Sequence, residues 1–415
     1  MLRRLVAESS RRVAAAAGAA FATSCCSLSE SRPPGGGVKQ TLISSATNQR
    51  VDSWALSSSS SAGGVPWAVR KSTLHGGRQE GVDVIEVDNG ALSFTVIPTR
   101  GMSVGNVTLS DGTPLGWASP IRETVHPRHV DLQDHGGLGW LTGFNEFLVR
   151  CGVAFAGHPG DDHGHLLTLH GRIGNIPASE VEVEVMNDGR IVVRGRVDEA
   201  MFKFCDFELY TEISTTPGSD VITIHDSLVN KASYPREYQM IYHTNFGPPI
   251  LEEHAQFLAP VATVAPFNEA AKADLGRWQT YRRPTADFGE HVFCVTPHAD
   301  VQGWTTVGLV DAKGERGVAM SYNAMTLPSF ALWKNTDTLE EGYVTGLEPA
   351  TGFPCPRSIE RAAGRVPILQ PGAAVEFDLK LHVLRSKKDV DALRGLVGEI
   401  SSGRPAAVSD RPVRG

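Results

Sequence analysis

No CxxC pair, no GxxxxGK[ST] phosphate loop and no long apolar run occurs in this 415-residue sequence. Without paired cysteines there is no zinc ribbon and no thioredoxin-like redox motif. Cys151, Cys205, Cys294 and Cys355 are scattered singly, as in a reducing compartment, where such residues are most often small buried hydrophobes. Without the phosphate loop a nucleotide is not expected. Gly137-Leu138-Gly139-Trp140-Leu141-Thr142-Gly143 approaches a dinucleotide fingerprint, but Thr142 stands where the third glycine belongs and no βαβ unit surrounds it. It reads instead as a tight loop packing Trp140 and Phe144. The longest uncharged run of apolar and small residues, Val13–Ala22, has ten residues, about half of a membrane span. An excess of positive charge is also missing. Lys and Arg total 39 against 46 Asp and Glu, a net of −7, which argues against nucleic acid or an anionic membrane as partner. What is present is a 41% hydrophobic fraction, enough to fill a sizeable core. The length fits two to three domains or one large all-β sandwich.

The charge is uneven. Residues 1–50 hold seven bases and two acids, a net of +5, which leaves −12 on the other 365. An acid-poor, Arg-, Ala- and Ser-rich leader beginning MLRRLV has the composition of an organelle transit peptide. An export signal built on Arg11, Arg12 and the run after them, or an undirected tail, are the alternatives. Residues 51–66 read as a linker, 67–400 as the folded domain and 401–415 as a flexible tail. The Asn106-Val107-Thr108 sequon matters only in a secreted chain.

From residue 82 onward strands and turns follow one another. Val82–Val87 and Leu92–Ile97 flank an Asn-Gly turn. Val181–Met186 alternates Val with Glu and returns as Ile191–Val197. Phe207–Ile213 and Val221–Leu228 flank Thr216-Pro217-Gly218-Ser219. Val307–Val310 and Val318–Tyr322 flank Lys313-Gly314, and Val375–Leu384 alternates late in the chain. Helical periodicity appears only at Ser386–Ile400. Helices do not alternate with strands, so the expectation is an all-β, antiparallel sandwich with a short C-terminal helix.

Histidine is the residue type in which chemistry concentrates. Seven of 14 fall between residues 126 and 170. His163, His165 and His170 could chelate a divalent metal from one hairpin, but no carboxylate follows His165, and HPGDDHGH reads more simply as a polar solvent loop. A dispersed set is more specific: His170 in LHGR, His243 in YHTNFGP and Glu348 in GLEP. Gly, Pro or aromatic neighbours surround each, as at a strand end opening into a cleft.

These motifs carry a resemblance. PTRGMSV (98–104), LGWASP (115–120), GGLGWLTGFNEFLVRCG (136–152), LHGRIGNIPA (169–178), YHTNFGPP (242–249), LPSFALWKN (327–335) and GYVTGLEPATGFPCPR (342–357) resemble the galactose mutarotase-like (aldose 1-epimerase) superfamily, in its uncharacterised DUF4432-type branch. The likeness runs from about Trp67 to about Leu384. It implies an antiparallel β-supersandwich and cofactor-independent, metal-free interconversion of the anomers of a small-molecule carbohydrate. Glu348 would be the base for the anomeric hydroxyl, His243 the acid for the ring oxygen and His170 a second imidazole. Arg100, Arg150, Arg172, Asn245 and Lys334 are substrate-binding candidates, and the four cations among them raise the prospect of an anionic sugar. Trp140 and Trp333 are candidates to stack on a pyranose. Two rival readings keep the fold: a non-catalytic carbohydrate-binding protein, and a metal-dependent sugar isomerase or lyase built on the 163/165/170 histidines.

Overall fold

Two large sheets carry the architecture in the computed structural model, which describes residues 37–58 and 64–413. The ten-stranded sheet has the spatial order Gln256–Leu258, Trp304–Val310, Gly317–Asn323, Ala374–Leu384, Val221–Asn230, Cys205–Thr215, Ile191–Met201, Glu180–Val185, Val38–Ser44 and Gln49–Arg50. The twelve-stranded sheet runs Ala407–Val408, Val261–Pro266, His291–Pro297, Ser329–Asn335, Val344–Ala350, Gln239–Phe246, Leu148–Val153, Ser103–Leu109, Leu92–Ile97, Asp83–Asp88, Trp67–Thr73 and Trp54–Ser58. All strand pairings but that of Ala407–Val408 are antiparallel. The fold is therefore the expected β-supersandwich. Its C-terminal helix spans Lys387–Ser401, capped by Ser386, whose side chain accepts from the Asp389 N–H. Among the described residues no helix is long and apolar enough to cross a membrane.

The alternating strands face the core as their pattern demands. Ile222, Ile224 and Leu228 of one sheet are buried with Val87, Phe94 and Phe246 of the other. The first hairpin turns at Asn89-Gly90, where Gly90 has φ +84°, open to glycine without a Cβ penalty. Asn89 is fully buried, and its amide donates to Thr215 Oγ1 and to the Ser219 carbonyl. It thereby pins the turn of one sheet to a turn of the other.

Three boundaries move. Val38–Ser44 pairs with Glu180–Val185, and Leu42 is fully buried, so the fold begins before residue 50. Trp54–Ser58, inside the expected linker, pairs with Trp67–Thr73. At the other end Ala407–Val408 joins Val261–Pro266 rather than fraying. Of the leader expected over residues 1–50, residues 1–36 lie outside the described residues.

Candidate active site

The strands Leu148–Val153, Gln239–Phe246 and Val344–Ala350 lie side by side in the twelve-stranded sheet. Every residue of all three is buried. His243 and Glu348 thus sit mid-strand, not at strand ends as expected. The strand period of two puts His243, Asn245 and Ile241 on the face turned away from the other sheet. Val149 and Cys151, opposite His243 and Ile241, share that face. Burial pushes the Cys151 thiol well up, which keeps it an inert part of the floor.

A loop covers this face. Trp140 and Phe144 pack over Val149, Cys151, Ile241 and Ala350. Their ring centroids are 4.7 Å apart, and Phe144 is 5.1 Å from His243. Trp333 closes the side at 5.4 Å from His243. Its indole N–H donates to Glu290 Oε2 at 2.8 Å.

His170 arrives from a turn after the short strand His165–Leu167. Its backbone is left-handed (φ +58°), and it is held there because its N–H donates to the Gly157 carbonyl and its carbonyl accepts from Gly152 N–H. Such a conformation in a non-glycine residue costs about 1–3 kcal/mol and clusters at functional sites. Gly171 follows with φ +72°, and a Cβ there would stand 2.2 Å from the Phe155 carbonyl oxygen, so only glycine fits.

The dispersed trio therefore converges. His243 Nε2 is 3.3 Å from Glu348 Oε1, within ion-pair reach but without hydrogen-bond alignment. The His170 and His243 rings are 5.4 Å apart. Glu348, His243 and His170 are 2%, 4% and 9% exposed, so burial governs their protonation. It raises the Glu348 carboxyl well above the usual range, with the Glu290 charge adding to the effect. It pushes His243 down to about 4, against the hydrogen bond that His243 donates to Asn245. His170 falls well below the ordinary imidazole value through burial and the neighbouring His243. A carboxyl whose proton affinity is raised beside an imidazole whose proton affinity is lowered has the makings of an acid–base pair.

Asn245 belongs to this arrangement. Its Oδ1 lies 2.8 Å from His243 Nδ1, and its Nδ2 donates to the Glu146 carbonyl at 3.0 Å. The four cations are engaged with partners away from the trio. Arg100 is fully buried against Glu146, Asn175 and the Gly143 carbonyl. Arg150 forks onto Asp226 of the other sheet. Arg172 binds Glu199 at 3.1 Å, which in turn accepts from the Val153 N–H. Lys334 lies on the opposite face, donating to the Thr280 carbonyl and 4.3 Å over the Tyr281 ring. Strand parity decides this: Arg150 opposes Tyr242, and Lys334 opposes Thr345, each one residue off the site's register. Arg100 acts at a distance, holding the Glu146 whose backbone fixes Asn245.

His163 and His165 are exposed while His170 is buried, and no group of three or more His, Cys, Asp or Glu that could hold a metal occurs among the described residues. The void lined by Leu92, Phe147, Ile222 and Leu381 includes none of the trio. Sequence reasoning passed over Trp117, Thr168 and Glu290. Thr168 lies two residues before His170 and was within reach of the motif, whereas nothing local marks Glu290.

The family described as "Domain of unknown function (DUF4432)" matches residues 79–383. The chain belongs to it. This DUF4432 protein is 41% identical to a protein from Klebsiella pneumoniae subsp. pneumoniae MGH 78578, whose crystal structure is that of a "putative aldose 1-epimerase". The match covers 91% of this chain and 99% of that one, with a TM-score of 0.88. A galactose mutarotase-like protein from Clostridium acetobutylicum matches at 15% identity over 80% and 99% of the two chains, TM-score 0.52. A galactose mutarotase related enzyme from Lactobacillus acidophilus matches at 13% identity over 73% and 98%, TM-score 0.50. These last two share the fold. No curated protein matches the chain. The DUF4432 protein thus has the fold of galactose mutarotase-like proteins.

Proposed function

We propose that this protein is an aldose 1-epimerase acting on a neutral free sugar. The observation that carries the reading is the buried Glu348–His243 contact of 3.3 Å beneath an aromatic cover. Glu348 takes the proton of the anomeric hydroxyl while His243 gives one to the ring oxygen. The C1–O5 bond breaks, the open aldehyde rotates about C1–C2, and closure on the other face returns both protons. Ring opening passes one proton, through the substrate, from imidazolium to carboxylate. Burial raises the proton affinity of Glu348 and lowers that of His243. In the empty site the pair's one proton therefore rests on Glu348, and the ring-opening form with that proton on His243 is the minor one, drawn out when the sugar's hydroxyls engage the carboxylate. His170 supports the developing alkoxide or a neighbouring hydroxyl. A neutral substrate follows from the engagement of Arg100, Arg150, Arg172 and Lys334 with protein partners.

Saturation-transfer NMR on neutral, phosphorylated and sulfonated aldoses tests this. The wild type is expected to accelerate exchange of a neutral aldose above the spontaneous rate, with EDTA making no difference. Glu348→Gln should lose about 10²–10⁴-fold. Acceleration retained by that variant would sink the mechanism. Binding without acceleration would favour the carbohydrate-binding reading, and loss with EDTA the metal-dependent one.

A further inference from the structure

Among the described residues Trp140 Nε1, Thr168 Oγ1 and His170 Nδ1 have no hydrogen-bond partner, although these residues are only 1%, 6% and 9% exposed. A fourth such atom, Glu348 Oε1, lies 3.3 Å from His243 Nε2. Buried polar groups are nearly always paired in native structures, so four such atoms on the trio and on the segments tied to it ask for partners. Leu169 N–H donates to the Gly137 carbonyl at 2.8 Å, tying the turn of Thr168 and His170 to the loop that carries Trp140. Leu169 and Trp140 pack in the same cluster, and the Trp140 ring meets His170 edge-on at 4.8 Å.

We propose that Trp140 Nε1 and Thr168 Oγ1 are specificity-determining donors that read sugar hydroxyls away from the anomeric centre. This rests on the sugar-epimerase reading of the same site. Two of the four orphan atoms, His170 Nδ1 and Glu348 Oε1, belong to the acid–base machinery. The other two have no role in moving protons. An indole N–H only donates, and a threonine hydroxyl both donates and accepts. Any sugar hydroxyl satisfies either. The four cations singled out in the sequence are engaged elsewhere, so the groups read here are neutral hydroxyls rather than a carboxylate, phosphate or sulfonate. A buried donor left unpaired is what makes a site reject the analogue that lacks the hydroxyl.

Two near-isosteric variants test the assignment. Trp140→Phe keeps the ring and removes the N–H, while Thr168→Val keeps the shape and removes the hydroxyl. Binding is measured by calorimetry with neutral hexoses and pentoses and their monodeoxy derivatives, and exchange rates are measured alongside. Each variant is expected to bind the parent sugar about three- to tenfold more weakly. One monodeoxy sugar should bind the wild type more weakly and the matching variant with no further loss. Thr168→Val should leave Tm unchanged or raise it, because it removes an unpaired buried hydroxyl. Unchanged binding in the variants, or an equal loss for parent and every deoxy sugar, overturns the proposal. So does a wild type that binds no neutral sugar. If the wild type binds sugars but accelerates no exchange, the epimerase reading fails while the binding comparison still decides the role of these two donors.

Discussion

Between Asn245 and His243, a 2.8 Å contact sets which imidazole nitrogen carries the proton of the neutral ring. Asn245 Nδ2 is committed to the Glu146 carbonyl, so its Oδ1 must accept and Nδ1 must donate. Nε2 is then the nitrogen that exchanges a proton on the Glu348 side. In the proposed mechanism the pair works with one proton between its two groups, and its limits are those of the pair rather than of either residue. On the acid side a second proton goes onto His243, near pH 4 by its lowered value. On the alkaline side the last proton leaves at the raised value of Glu348. The kcat/KM profile is therefore expected to be a broad bell whose acid limb lies near pH 4. Asn245→Asp places a carboxylate on Nδ1 and should move that limb upward by about one to three pH units. Asn245→Ala should lower kcat about 10–100-fold by freeing the ring. A pH profile identical to wild type in Asn245→Asp would show that Asn245 does not position the imidazole.

The cover over the site is an element made possible by a glycine. A Cβ at Gly139 would stand 1.6 Å from the Asp131 carbonyl oxygen, so the chain there closes on itself backbone to backbone. Gly139→Ala should displace Trp140 and cost about 1–3 kcal/mol of stability. The check is a lowered Tm together with increased Trp fluorescence quenching by acrylamide; an unchanged Tm would mean the loop adapts without cost. This element also shows what a sequence gives away. The wet-faced hairpins at 181–197 and 205–230 were legible because one face meets water and the pattern alternates. The site strands Gln239–Phe246 and Val344–Ala350 are covered on both faces, so no alternation marks them. The motifs found His170, His243 and Glu348, but the parity that turns Arg150 and Lys334 away from them depends on strand register. Register becomes readable only once partners are known. The strand Val38–Ser44 hid in a basic, serine-rich composition, and its pairing with Glu180–Val185 is what reveals it.

Across the whole molecule the two sheets are joined by more than apolar contact. Asp226, in the ten-stranded sheet, accepts from Arg150 and Tyr242 of the twelve-stranded sheet and from Thr211 of its own. Asp226 and Arg150 are fully buried. The pair is expensive to assemble, because both charges leave water, and worse to break, because one charge is then stranded. Arg150 sits on the strand whose opposite face carries Val149 and Cys151 of the site floor. The knot therefore holds the floor strand against the second sheet without touching the acid–base pair. Asp226→Ala is expected to cost about 3–5 kcal/mol in urea unfolding, with the m-value unchanged. Replacing Asp226, Arg150 and Tyr242 together by apolar residues of similar size should recover much of that loss, since no buried charge remains. Under conditions where each variant is folded, the acid limb of kcat/KM should stay where it is in the wild type. If Asp226→Ala moved that limb while leaving stability intact, the knot would belong to the chemistry of the site rather than to the cohesion of the sandwich.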